Sequence, residues 1–139
     1  MKVFHVGIKA VIINDKKALI LKELDIKGSG AEIYDLPGGR IEGEETIEET
    51  LKRELKEELG ITNYSLGSLI NACKHPYYKV NEVGLLLLFF KIYVKNFKLR
   101  LSSEHRSYQW ISKKDLEKII KNKGKIHKGI IKALEIALK

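Results

Sequence analysis

The stretch RELKEELG, residues 53–60, places three carboxylates where a helix gains nothing from them. At about 100° per residue, Glu54, Glu57 and Glu58 fall within one arc roughly 100° wide. Glu54 and Glu58 are also an i,i+4 like-charge pair, which costs a helix roughly 0.2–0.5 kcal/mol. The apolar stripe Ile47, Leu51, Leu55 and Leu59 fixes the face: Glu58 points along it, Glu54 lies at its edge and Glu57 farther out. A carboxylate aimed at a core needs a cation or hydrogen-bond donors, or it protonates. Arg53 can serve one of the three, and Glu45 and Glu49 also lie near it. Salt bridges Glu48–Lys52 and Glu49–Arg53 would explain an ordinary charged helix but not this arc. A divalent cation does explain it. Mg²⁺ favours a few carboxylates, waters and phosphate oxygens, and the glycine turn Pro37-Gly38-Gly39 lies beside the arc.

The elements that must carry this site follow from pattern. VFHVGIKAVII (3–13) reads as a strand, with Phe4, Val6, Ile8, Ala10 and Ile12 on one face and His5, Gly7 and Lys9 on the other. A turn at Asn14-Asp15-Lys16-Lys17 leads into a second strand at 18–24. DIKGSGAE (25–32) reads as a loop, IYDL (33–36) as a short strand and PGGR (37–40) as a sharp turn. A helix spans Thr46 to Leu59 and stops at Gly60. Segments 64–73 and 81–94 read as strands, the second so continuously apolar that it belongs in the middle of a sheet. A last strand at 107–111 and helices at 113–121 and 127–138 complete an α/β/α sandwich around a mixed β-sheet.

Composition sets limits on function. The 139 residues predict a single domain, 1–139, large enough for a real core. Cys73, the lone cysteine, excludes an intramolecular disulfide framework and a cysteine-rich zinc site, and suits a reducing cytosol. The run GLLLLFF (84–90) is too short to span a bilayer, and the N-terminus lacks a signal peptide's apolar core, so the expected location is cytoplasmic with no membrane partner. Net charge is +8, yet Glu42–Glu58 holds eight glutamates against Lys52, Arg53 and Lys56. An acidic island in a basic protein suggests cations at the island and an anionic ligand over the rest. Nine lysines after Ile111 read as a solvated helical face. They lack the aromatic interleaving of a nucleic-acid binder, so a nucleic-acid partner is not expected.

GRIEGEETIEETLKRELKEELGI (39–61) resembles the signature of the Nudix hydrolases, MutT among them, at Gly39, Glu45, Arg53, Glu54, Leu55, Glu57, Glu58, Gly60 and Ile61. YDLPGG before it and EHRSYQW (104–110) after it extend the likeness. The resemblance implies the Nudix fold and a pyrophosphohydrolase, dependent on Mg²⁺ or Mn²⁺, that cleaves the diphosphate linkage of a nucleoside diphosphate derivative. ADP-ribose-like compounds, dinucleoside polyphosphates and nucleoside triphosphates are the candidates. An RNA 5′-end pyrophosphohydrolase and a non-catalytic nucleotide-binding module are the alternatives.

By position, the resemblance makes Glu54, Glu57, Glu58 and the Gly39 carbonyl metal ligands, pairs Glu45 with Arg53 as the box's framework and ends its helix at Gly60. Glu54 and Glu104 are the alternatives for the base, and Glu57 joins them in the catalytic set. Fifteen residues past the box, HPYY (75–78) combines a proline that resembles ADP-ribose pyrophosphatases with tyrosines that resemble diadenosine polyphosphate hydrolases. Pro76, Tyr77 and Tyr78, with His5 and Arg40, are therefore the expected substrate-binding residues, although the tyrosines equally suit a packed turn.

Overall fold

The computed structural model describes residues 3–24, 32–75, 82–95, 98–101 and 106–139. In β1 (Phe4–Asn14), Ile8, Ala10 and Ile12 enter one core while Val11 enters a second on the opposite face. Side chains on a strand alternate, so one apolar strand serves two layers. A tight turn with positive φ at Asp15 and Lys16 joins β1 to β2 (Lys17–Leu24), as hairpins of right-handed twist require.

The elements that follow are β3 (Glu32–Asp35), β4 (Gly38–Arg40), α1 (Ile47–Leu59), β5 (Tyr64–Lys74), β6 (Gly84–Val94), β7 (Arg106–Ile111), α2 (Lys113–Lys121), β8 (Lys125–Ile126) and α3 (Lys128–Ala137). The expected helix and strand boundaries hold to within about three residues, while the expected loop at 25–32 lies, but for Glu32, outside the described residues. Two differences stand out. PGGR is not only a turn, because Gly38–Arg40 pairs antiparallel with Gly7–Lys9 on the edge of β1 that β6 leaves open. The two-residue β8, parallel to β3, has no counterpart in the sequence reading.

The mixed sheet has the order β5-β6-β1-β2-β3-β8, with β4 also on β1 and β7 also on β2. The apolar strand β6 is flanked on both edges, by β5 and by β1. The two halves meet through the β1–β2 hairpin, whose register is Ile13↔Ala18 and Asn14↔Lys17. Away from that hairpin they diverge, and residues 35–38 cross from one half to the other.

Helix α1 covers one face with Leu51, Leu55 and Leu59 against Ile8, Ala10, Ile12, Leu19 and Ile92. Helices α2 and α3 cover the other with Leu116, Ile119, Ile130 and Leu134 against Val11, Ile20, Leu87 and Phe89. Each such side chain contributes about 1.5–3 kcal/mol when fully buried. Thr46 caps α1 rather than opening it, in a reciprocal box with Glu49. At the far end Gly60, at φ 68°, closes the helix through Gly60 N–H to the Lys56 carbonyl and Ile61 N–H to the Leu55 carbonyl. No helix among the described residues is long and apolar enough to cross a membrane.

Candidate active site

The crossing segment brings backbone onto the carboxylates of α1. Ala10 N–H donates to the Pro37 carbonyl at 2.8 Å, which pins the turn to β1. Gly38 then takes φ 144°, in a region that favours glycine. A Cβ there would overlap the Ile8 carbonyl oxygen and lie 2.9 Å from the Lys9 Cα. Gly38 N–H donates to Glu58 Oε1 at 3.1 Å, so the carboxylate that points along the apolar face does meet a donor. At Gly39, a Cβ would run into the carboxylate of Glu54. Two glycines thus permit a strand to lie directly on two glutamates.

Arg53 gathers the acidic island. Its Nε donates to Glu45 Oε2 at 2.8 Å and its Nη2 to Glu45 Oε1 at 2.9 Å, a two-pronged pair. Nη1 donates to Glu54 Oε1 at 2.6 Å and Nη2 to the Arg40 carbonyl at 3.1 Å. Glu42 and Glu57 stand farther off, at 3.7 and 3.8 Å from Nη1. Arg53, followed by the Glu42 backbone N–H and the Thr50 hydroxyl, holds the Glu45 carboxyl down at about 2. The same hydrogen bonds, accepted by Glu45, push the guanidinium farther up. Loop 41–46 is thereby tied to the middle of α1. Thr50, the buried polar residue of the helix, donates to Glu45 Oε1 at 3.1 Å and was not singled out in the sequence. Its place one turn before Glu54 on a helix with an apolar stripe was the available signal.

The oxygen donors of Glu54, Glu57 and Glu58, with the Gly39 carbonyl nearby, have the chemistry of a Mg²⁺ or Mn²⁺ site and offer no soft ligand. Their exposure is graded: the Glu54 side chain is 15% exposed and that of Glu57 62%. Among the described residues no three His, Cys, Asp or Glu side chains are gathered tightly enough to hold a metal, since Glu54 turns to Arg53 and Glu58 to Gly38. In donor chemistry, carboxylates beside the bare backbone of Gly39, the set is still of the kind that suits a small, hard cation.

Comparison with known proteins agrees with this geometry. The model of the NUDIX domain matches residues 3–134. The chain belongs to the Nudix hydrolase family. Members of the family act on nucleoside diphosphate and triphosphate compounds and generally use divalent cations, and the chain is accordingly a pyrophosphohydrolase acting on a phosphoric anhydride. It is 30% identical over 113 residues to the nucleoside triphosphatase NudI of Escherichia coli O139:H28, covering 76% of this chain and 80% of that protein. Its structure is similar to the MutT protein of Methanosarcina mazei Go1, with a TM-score of 0.71, 29% identity and coverage of 96% and 92%. The fold is also that of the E. coli ORF135 protein, with a TM-score of 0.73, 22% identity and coverage of 99% and 90%.

In this Nudix hydrolase the remaining expected residues divide. His5 and Arg40 come together, with Arg40 Nη1 3.2 Å from His5 Nδ1 at the outer end of the β1–β4 pair. Glu104, Pro76, Tyr77 and Tyr78 lie outside the described residues. Between the two halves of the sheet, on the face away from α1, is a cavity of about 530 Å³. Lys9 and Asp35 border it with Leu85, Leu87, His75 and His127. Lys9 Nζ pairs with Asp35 at 3.1 Å and also reaches the Leu36 carbonyl at 3.3 Å. Sequence reasoning put Lys9 on this face but missed Asp35, His75 and His127, because only the divergence of the two half-sheets brings them together.

Proposed function

We propose that this Nudix hydrolase cleaves a nucleoside triphosphate in a reaction dependent on Mg²⁺, with Mn²⁺ as a substitute. Glu54, Glu57, Glu58 and the Gly39 carbonyl would hold the cation. What carries the reading is the seating of Gly38 and Gly39 on Glu58 and Glu54. It leaves oxygen donors at the end of a strand whose other neighbour, Lys9, borders a nucleoside-sized cavity. The 30% identity to a protein named a nucleoside triphosphatase favours triphosphates over the other candidates.

A cation held there would neutralise anhydride oxygens and lower the pKa of water. The chain's own residues do the rest. The cavity takes the nucleoside, so its phosphates extend past Arg40 and His5 toward α1. Arg53 keeps Glu45 fixed and steadies the loop that follows Gly39. A carboxylate accepts the proton as water attacks phosphorus and the bridging P–O bond breaks. Glu54 and Glu104 are the two candidates for that role.

The test is a hydrolysis panel of nucleoside triphosphates, ADP-ribose, diadenosine tetraphosphate and nucleotide sugars with Mg²⁺, both products being identified. Triphosphates should give the highest kcat/KM, and excess EDTA should abolish turnover. A clear preference for ADP-ribose or a dinucleoside polyphosphate would overturn the assignment of substrate. Undiminished turnover in EDTA would overturn the role of the carboxylates.

A further inference from the structure

We propose that Lys9 is a positioning residue for the cation site. From the wall of the cavity its ammonium holds the crossing segment 35–38, so that Gly38 and Gly39 stay seated on Glu58 and Glu54. This role rests on those carboxylates holding the cation of the proposed reaction.

The charge sits where the strand has no structural use for it. Side chains alternate along β1, and Val11, next on the same face as Lys9, is fully buried in the core under α2 and α3. The Lys9 side chain is itself only 15% exposed. An ammonium taken so far from water needs partners. Nζ lies 3.1 Å from Asp35 Oδ1 and donates to Asp35 Oδ2 at 3.2 Å and to the Leu36 carbonyl at 3.3 Å. An apolar side chain would line the same wall as Leu85 and Leu87 with no charge to desolvate, and such replacements are often neutral or stabilising. A residue that breaks the local pattern without a gain in packing points to function.

The segment it holds has little of its own to fix it. Pro37 lacks an N–H, and Gly38 and Gly39 lack side chains. Buried Leu36 and groups supplied by β1 do the fixing. The Lys9 ammonium takes Asp35 and the Leu36 carbonyl, Ala10 N–H takes the Pro37 carbonyl at 2.8 Å, and the Lys9 backbone is in register with Gly38. Asp35 closes the clamp, because its Oδ1 also accepts Leu36 N–H at 2.7 Å.

From that clamp the carboxylates are one step away. Only Pro37 and Gly38 separate the carbonyl that Lys9 holds from Gly39. Gly38 N–H donates to Glu58 Oε1 at 3.1 Å, and the Glu54 carboxylate fills the space a Cβ on Gly39 would take. A hydrogen bond from a charged donor is roughly twice as strong as one between neutral groups, so the ammonium outweighs the single amide of Ala10 as a tie. Without it the start of the segment can swing into the cavity, and Gly38 and Gly39 lose their fixed height over α1. Lys9 thus acts through the backbone and touches no ligand oxygen of the cation.

The experiment uses Mn²⁺ alone, without nucleotide, so that a side chain serving only the substrate has no effect. Mn²⁺ affinity is read by electron paramagnetic resonance, and amide hydrogen exchange is read on the metal-free protein by NMR. Lys9→Met keeps the length of the side chain and removes the charge. It should weaken Mn²⁺ binding by roughly tenfold to a hundredfold and speed exchange at Gly38 and Ala10 by a similar factor, with the amides of β6 unchanged. Lys9→Arg keeps a charged donor on a wall with open space beside it and should recover most of both. Asp35→Asn keeps an acceptor for Leu36 N–H but loses the ion pair, and should show the same two effects, smaller; it carries the test if Lys9→Met does not fold. Wild-type Mn²⁺ affinity and wild-type exchange at Gly38 in the charge-removing variant would overturn the proposal, and so would acceleration spread equally over β6. If the wild type binds no Mn²⁺, the cation site itself has failed and exchange decides alone. Selective acceleration at Gly38 and Ala10 then upholds the clamp, and its absence overturns it.

Discussion

Alanine at Gly38 and alanine at Gly39 should fail in opposite ways. At Gly38 the obstacle is backbone: the new Cβ meets the Ile8 carbonyl and the Lys9 Cα in a strand paired along its other edge with β6. Holding alanine at φ 144° adds strain of about 1–3 kcal/mol, and overpacking a fixed wall adds about 1–3 kcal/mol more. A combined loss of roughly 3–5 kcal/mol in a 139-residue chain corresponds to a fall in melting temperature of about 10–15 °C. At Gly39 the obstacle is the far end of the Glu54 side chain, which can rotate away. The cost in stability should be only about 1 kcal/mol. Rotation, however, takes the carboxylate off Gly39, and misplacing a catalytic group by about 1 Å costs roughly a hundredfold in rate. Thermal melts and turnover of the two variants, measured side by side, check the argument. A Gly38→Ala variant that melts within about 3 °C of wild type would refute the steric reasoning. A fully active Gly39→Ala variant would refute the claim that Glu54 works from its seat on that glycine.

Glu57→Gln and Glu58→Gln should each lose turnover severely while remaining folded, and Mg²⁺ should raise the melting temperature of the wild type more than that of Glu58→Gln; equal shifts would remove Glu58 from the site. For Glu45 the sign is that of a depressed carboxylate, about 2 in the folded chain against a usual 4.5. Its stabilisation is complete above about pH 4.5 and is lost as the pH falls through about 2, so urea midpoints should decline across that window less steeply in Glu45→Gln than in the wild type. If Glu104 is the base, Glu104→Gln should cut turnover by roughly 10²–10⁴ with KM little changed; an unaltered rate would pass the role to Glu54.

Periodicity made most of the fold legible. The stripe at Ile47, Leu51, Leu55 and Leu59 and the alternation in β1 each encode a buried face, and both were readable because burial acts on a fixed geometric repeat. What the sequence did not show is long-range. The pairing of Gly38–Arg40 with β1 depends on an edge that β6 happens to leave open, and β8 exists only because β3 offers it an edge. The carboxylate arc was plain from helical spacing alone. The Asp35–Lys9 pair, joined across 26 residues, and the stacked His75–His127 pair, 52 residues apart in the chain, follow no local rule.

The charge balance around Arg53 links the site's architecture to the proposed chemistry. One guanidinium faces Glu45 in a two-pronged bond and Glu54 in a single short one, with Glu42 and Glu57 beyond 3.5 Å. The bidentate pair fixes geometry, since two parallel bonds resist rotation. The single bond to Glu54 is different, because rotation of the glutamate side chain breaks it while Glu45 keeps the arginine in place. A cation arriving at Gly39 would then compete only for Glu54, Glu57 and Glu58, and the loop's anchor would not be disturbed. Lysine at position 53 carries the same charge but cannot form the fork. It should therefore fail to hold the loop even where it still neutralises Glu54, which separates the scaffold role of this residue from its role as a counter-charge.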